Sequence, residues 1–183
     1  MQRQSEALRE AMRSRQFVRF NRRFEDTCIR GYVLDVGPVF FLLSLVSDRV
    51  RFDGFECFRI ADVRNLKRDP YAVFAEAALK KRGERKPEKP RISIVNTGAL
   101  LISANRVFPL VTIHRERIEP DVCHIGRVLK VRNGRLSLLE IDPRAQWDDS
   151  ATEHRLSEIT RVNFGGDYED ALHIVGGKPA KQG

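Results

Sequence analysis

The residues best equipped for chemistry in this chain are four histidines, three cysteines and a large set of arginines. The histidines are His114, His124, His154 and His173; the cysteines are Cys28, Cys57 and Cys123. Such groups build transition-metal sites only where the chain brings several to one point. Cys123 and His124 are adjacent, and neighbours on a strand point to opposite faces, so they do not chelate one ion. The spacing therefore implies no metal site and no cofactor, with His114 and His154 read as ordinary polar residues of strands. A reactive thiol needs a cationic neighbour to lower its pKa. Cys28 and Cys123 read instead as small apolar residues in equivalent places. No P-loop, dinucleotide fingerprint, G-x-S-x-G or H-E-x-x-H is present, so the chain reads as a non-enzyme.

The basic residues are the stronger signal. The net charge of +8 is unevenly spread: residues 1–85 hold 18 Lys/Arg and 12 Asp/Glu, whereas residues 108–183 hold 11 and 12. A basic first half fits a polyanion such as RNA, and it equally fits an Arg-rich surface that keeps a protein in solution. Arg19, Arg22, Arg23 and Arg30 fall on the early strands, with Lys67, Arg68, Lys80, Lys81 and Arg82 beyond them. Phe20, Phe24 and Tyr32 interleave with the first group. Exposed aromatics in a basic groove would stack single-stranded bases, at about 1–3 kcal/mol each. In an alternating strand the phenylalanines face inward, which leaves the arginines for phosphate.

What positions these residues is an internal repeat. Cys28-Ile29-Arg30-Gly31-Tyr32-Val33-Leu34-Asp35-Val36 is answered by Cys123-His124-Ile125-Gly126-Arg127-Val128-Leu129-Lys130-Val131. Further on, Phe58-Arg59-Ile60-Ala61-Asp62-Val63 is answered by His154-Arg155-Leu156-Ser157-Glu158-Ile159, and Tyr71 by Tyr168. A repeat decides architecture before other signals are weighed. It predicts two small units: a first over 1–85, a charged proline-bearing linker over 86–96, a second over 97–176, and a disordered tail over 177–183.

Within each unit the expected order is a helix, five short strands and a second helix. Ser5 caps a helix over 5–17, and Thr97 one over 97–108. A hairpin of 92–95 with 100–102 competes for the latter stretch. Strands follow at 18–22 and 111–115, then at 29–36 and 123–131, each of these with a glycine inside it. Gly31 and Gly126 mark the sharp bend that lets a strand curl. The continuous apolar run 39–46 and its counterpart 136–141 predict burial on both faces. A tight turn is expected at Asp53-Gly54, and Asn133-Gly134 is a hairpin signal. The fourth strands are placed at 55–60 and 153–156, and the fifth at 63–66 and 159–162. Helices close the units at 71–81, which Pro70 initiates, and at 168–174. Asp62 and Glu158, just before the fifth strands, read as turn residues or partners for a nearby arginine.

This order resembles the Sm-like small β-barrel, the fold of Sm, LSm and Hfq proteins. Gly31-Tyr32-Val33-Leu34-Asp35-Val36 followed by Phe40-Phe41-Leu42-Leu43 is similar to that family's first motif, and Arg59-Ile60-Ala61-Asp62-Val63 stands where its second would fall. The resemblance implies a mainly β chain with flanking helices, built as two tandem Sm-like or SH3-like five-stranded small barrels. It also implies single-stranded RNA as partner, with Arg59 and Arg155 in the place of the second motif's arginine. The family's Asp-x-x-x-Asn loop is not reproduced: Gly37-Pro38 follow Asp35 by two residues.

The function expected is thus a non-catalytic macromolecule-binding module, with RNA contacts through Arg19, Arg22, Arg23, Arg30, Arg59 and Arg155. The alternative is a protein-interaction or assembly module, pairing with itself or another protein through exposed strand edges. No apolar run approaches the about 20 residues of a membrane span. With no export signal in the Arg-dense first 23 residues and an odd number of cysteines, a cytoplasmic protein with reduced thiols is expected.

Overall fold

The computed structural model describes residues 2–179. The described residues are mainly β, with ten strands in antiparallel pairings and four α-helices. It divides into two compact units. Unit 1 is Met1–Pro90 with Ile94–Asn96, and unit 2 is Arg91–Ser93 with Thr97–Gly183. No described helix is long and apolar enough to cross a membrane.

Unit 1 runs α1 (Gln2–Arg13), β1 (Phe17–Arg22), β2 (Glu25–Val36), β3 (Phe40–Val46), β4 (Phe52–Arg59), a 3-10 turn at Ile60–Asp62, β5 (Val63–Arg68) and α2 (Ala72–Lys81). Unit 2 repeats the succession: α3 (Thr97–Val107), β6 (Val111–His114), β7 (Cys123–Arg132), β8 (Arg135–Glu140), β9 (Thr152–Arg155), a 3-10 turn at Leu156–Glu158, β10 (Arg161–Phe164) and α4 (Asp167–Gly176). The strand order is also the same, β5-β1-β2-β3-β4 in unit 1 and β10-β6-β7-β8-β9 in unit 2. Within neither unit does the fourth strand pair with the fifth.

The two glycines sit in matching surroundings. A Cβ at Gly31 would collide with the Ser44 carbonyl oxygen, and one at Gly126 with that of Leu139. Register also shifts at the same place, between Val33 and Asp35 on β2 and between Val128 and Lys130 on β7. A bulge two residues beyond a close backbone approach bends each long second strand.

Unit 1 buries apolar residues on both sides of its sheet. Val18 and Phe20 on β1 join Leu8 and Ala11 of α1 in one cluster, and Phe17 joins Ala72, Ala75 and Leu79 of α2 in another. The expected two-sided burial of the 39–46 run is seen in β3, where six of seven residues are buried. Phe20, Phe41 and Phe58 meet with ring centroids 5.4–5.8 Å apart. Such pairs contribute about 0.5–1.5 kcal/mol each beyond the area they bury. In unit 2 a cluster of Leu110, Ile125, Ile141 and Leu172 carries the indole of Trp147, whose Nε1–H donates to the Gly176 carbonyl at 3.1 Å.

The helix expected over 97–108 is present as α3, in place of the competing hairpin. Asn105 on this helix bonds both backbone groups of Val128 (3.1 and 2.9 Å), so the bulged strand leaves neither unsatisfied. Three expectations need correction. The first helix spans Gln2–Arg13, so Ser5 lies inside it and does not cap it. The turn expected at Asp53-Gly54 lies instead at 47–51, where Ser47 N–H donates to Arg51 O and Val50 adopts a left-handed backbone; 53–54 fall inside β4. The last strand starts at Arg161 rather than Ile159, because Ile159 caps the 3-10 turn and Thr160 N–H is drawn to His114 O at 2.8 Å.

Residues 86–90 carry no helix or strand, yet their lysines are docked on unit 1. Lys89 Nζ lies 2.6 Å from Asp35, and Lys86 Nζ 3.3 Å from the centroid of the Tyr32 ring. Of the expected tail, Gly177 closes α4 through its N–H to His173 O, and 180–183 lie outside the described residues.

Candidate functional site

Of the arginines singled out above, two meet across strands. Arg19 on β1 stands opposite Arg30 on β2 and opposite Lys67 on β5. Three cations therefore form a row across three strands, and Arg64 and Arg68 are exposed on the same terminal strand β5. Like charges directly opposite each other destabilise a sheet unless a counter-charge meets them. Arg30 has one: its Nε lies 3.0 Å from the buried Asp69, and its guanidinium reaches exposed Asp48 at 3.2 Å. Arg19 and Lys67 make no ion pair among the described residues.

The other candidates are scattered. The Arg22 side chain is fully buried, 2.9 Å from Glu25, and its guanidinium lies 4.8 Å from the Phe58 ring centroid. Arg23 is half-exposed, 3.9 Å from Asp62 and stacked over Phe24. Arg59 lies over the Phe40 ring. Arg155 belongs to unit 2, exposed and 3.8 Å from Glu158. Of the interleaved aromatics, Phe20 and Tyr32 are buried. The exposed aromatics near Arg30 are Tyr71 and Phe74, at the start of α2, which line one groove with Arg30, Phe17, Asp48 and Asp69.

Unit 2 holds a denser constellation. Strand pairing sets Ile113 opposite His124, Gly126 opposite Glu140 and Leu136 opposite His154, so β7, β8 and β9 deliver the three polar side chains to one place. His124 Nδ1 lies 2.9 Å from Glu140 Oε2, and His154 Nε2 lies 3.1 Å from Glu140 Oε1. The two imidazoles are tilted with centroids 4.5 Å apart. The far nitrogen of His124, Nε2, lies 3.0 Å from Glu119 in the β6–β7 connection. Glu119 is itself held at 2.6 Å by Arg115, which also reaches Glu158 at 3.2 Å. Glu158 is thus an arginine partner, as Asp62 is in unit 1.

Electrostatics follow this geometry. Burial pushes the Glu140 carboxyl up, but hydrogen bonds from His124 and His154, the His124 charge and the Thr152 hydroxyl outweigh it and bring the pKa down to about 2. The Glu140 hydrogen bond raises His124, burial opposes it, and Glu119 raises it further. The hydrogen bond from His124 lowers Glu119, burial works against this, and Arg115 adds to the lowering. When protonated, His124 donates to a carboxylate from each ring nitrogen. His154 is only 1% exposed, and its Nδ1 has no hydrogen-bond partner. Among the described residues, His124, Glu140 and His154 are the one group of such side chains whose ligand atoms lie within 4.8 Å of one another.

Sequence spacing does not reveal this cluster, because its members lie 16 and 14 residues apart on three strands. The repeat carries the missing signal. Ile29 aligns with His124 and Phe58 with His154, exchanges of apolar for polar at positions that are buried in unit 1 and, in unit 2, buried for His154 and partly so for His124. In comparisons with known proteins, no family model, no curated protein and no solved structure matches this chain.

Proposed function

We propose that the chain is a non-catalytic, cytoplasmic macromolecule-binding protein made of two Sm-like units, and that unit 1 binds single-stranded RNA. The observation that carries this reading is the row Arg30–Arg19–Lys67, with Arg64 also exposed on β5. Arg19 and Lys67 face each other without a counter-charge among the described residues, and a run of phosphates would supply one. Tyr71 and Phe74 stand beside Arg30 as exposed rings on which bases can stack. The matching element order, strand order and glycine environments of the two units support duplication of one Sm-like unit.

The test is filter binding of mixed-sequence single-stranded RNA across a salt series. Affinity should fall steeply with salt, by a log–log slope of roughly 0.7 per phosphate contact. The double reversal Arg19→Glu, Lys67→Glu should weaken binding and flatten that slope. Absent binding at low salt, or binding indifferent to the reversal, would overturn the RNA reading.

A second reading is assembly through sheet edges. Within the strand order, β5 has β1 as its one neighbour and β9 has β8, so each presents an open ladder. The charges on β5 would then act to keep that edge from pairing, as lysines on edge strands do, which leaves the short β9 as the adhesive one. Light scattering that gives a stable oligomer, together with no RNA retention, favours this reading.

A further inference from the structure

We propose that His124, Glu140 and His154 form a binding site for one first-row divalent transition-metal ion, with Glu119 as the carboxylate that orients His124. The inference is independent of the RNA reading, which concerns unit 1.

Four observations carry it. First, the donor set is right: two imidazole nitrogens and a carboxylate suit Zn²⁺ and its neighbours and leave positions open for water or another ligand. Second, the geometry is nearly assembled. His124 Nδ1 and His154 Nε2 each face a Glu140 oxygen, and the three residues each offer a ligand atom within 4.8 Å of the others. Bonds of about 2.0–2.2 Å from one ion would span such a set with side-chain adjustments only. Third, the supporting shell is present. A metal-bound histidine characteristically donates its other ring N–H to a carboxylate, which fixes tautomer and orientation. His124 does this with Glu119 at 3.0 Å, and Arg115 anchors Glu119 in turn at 2.6 Å.

The fourth observation is that unit 1 does without these groups. His154 is buried, and Glu140 is its one hydrogen-bonding contact among the described residues. Placing an imidazole and a carboxylate where hydrocarbon serves is costly, and holding an ion through Nε2 is a reason to keep them. The corresponding positions of unit 1 are Ile29, Leu45 and Phe58, which need no partner at all. Access is preserved, since the side chains of His124, Glu140 and Glu119 are 15–33% exposed. On binding, the ion displaces the proton of His124 Nδ1 to solvent and replaces both histidines' hydrogen bonds to Glu140; His124 keeps its Nε2–H on Glu119, and His154 coordinates through Nε2 with its ring proton on Nδ1.

The experiment uses the untagged full-length chain, stripped with chelator, and titrates it with Zn²⁺ by calorimetry and with Co²⁺ by visible absorption. One ion per chain is expected, with Co²⁺ developing the d–d bands of a low-coordinate nitrogen and oxygen site. Zn²⁺ should also raise the unfolding temperature, because it binds the folded state. His154→Phe, which installs the residue that unit 1 uses, and Glu140→Gln, close in shape, should each abolish saturable uptake. Glu119→Gln should weaken it about 10–100-fold. Cys123→Ser should leave it unchanged, since that exposed thiol lies outside the cluster. Trp147 fluorescence checks the fold of unit 2, and Glu140→Gln carries the test if His154→Phe does not fold. The proposal fails if no one-to-one uptake is seen, if uptake survives Glu140→Gln, or if it disappears in Cys123→Ser.

Discussion

Unit 1 and unit 2 share one framework and differ in what three matching strand positions carry. In unit 1, Ile29, Leu45 and Phe58 complete an apolar cluster with Phe20 and Phe41 under helix α1. In unit 2 the same register positions hold His124, Glu140 and His154. The arginine beside the cluster is kept in both: Arg22 lies over Phe58 with Glu25 as partner, and Arg115 grips Glu119 and Glu158. The lesson concerns what a fold tolerates. Bulges, glycine bends and strand order are fixed by backbone geometry, so the interior can change from hydrocarbon to ionisable groups without altering the ladders. Unit 1 spends the position on stability, and unit 2 holds groups there that can exchange protons or bind a cation.

The largest expected effect lies on the apolar side of the comparison. Phe58 is fully buried, meets Phe20 edge-on and lies tilted against Phe41. Phe58→Ala removes those ring contacts, opens a cavity and strips Arg22 of its aromatic platform. A loss of about 3–5 kcal/mol is expected, read as a lower midpoint in urea denaturation. A loss under about 1 kcal/mol would mean that unit 1 does not depend on this cluster, and the contrast with unit 2 would collapse.

A smaller and matched effect tests the shared framework. Gly31→Ala drives a methyl group into the Ser44 carbonyl, and Gly126→Ala does the same to Leu139. Each should cost about 1–3 kcal/mol, the range for overpacking a site that must shift backbone. Because the Gly126 methyl would also press on the Glu140 Cα, that variant should weaken metal uptake as well. Unequal costs, one large and one near zero, would show that the two bends are not the same structural device.

The framework was legible in the sequence because it is written in periodicity and special residues. Alternation located β1 and β6, the apolar run located β3, and the recurring glycines marked the bends. What failed were features set by tertiary hydrogen bonds. The Thr160-to-His114 bond moves the start of β10. The helix expected at 97–108 is present, and Asn105 clasping Val128 holds it against the competing hairpin. The basic candidates were right in type and mixed in placement: Arg19 and Arg30 face each other, whereas burial of Arg22 followed from a bulge between Phe20 and Arg22 that no local pattern announces. The histidine cluster escaped because each member looks ordinary on its own strand. Only laying Ile29 over His124 and Phe58 over His154 exposes an exchange too costly to be casual.

The smallest expected effect is the one that separates the two interiors most cleanly, since Ile29, Leu45 and Phe58 cannot titrate. In the metal-free chain Glu140 has a folded pKa of about 2, below its ordinary 4.5. Its contribution is complete above about pH 4.5 and is lost as pH falls toward 2. His124 is raised above its ordinary 6.5, so its contribution is complete below that value and is lost as pH rises through the folded one. The network therefore stabilises unit 2 most between about pH 4.5 and 6.5. Partial exposure of both groups makes the gain modest. Trp147, the chain's one tryptophan, packs on the core of unit 2 and reports its unfolding alone. Its thermal midpoint should peak inside that window, and Glu140→Gln should flatten the peak. Added Zn²⁺ should shift the optimum upward in pH, because the ion competes with the proton on His124. A midpoint that follows pH identically in wild type and Glu140→Gln would mean that these side chains, although assembled, act as no more than polar filling in a core that unit 1 fills with hydrocarbon.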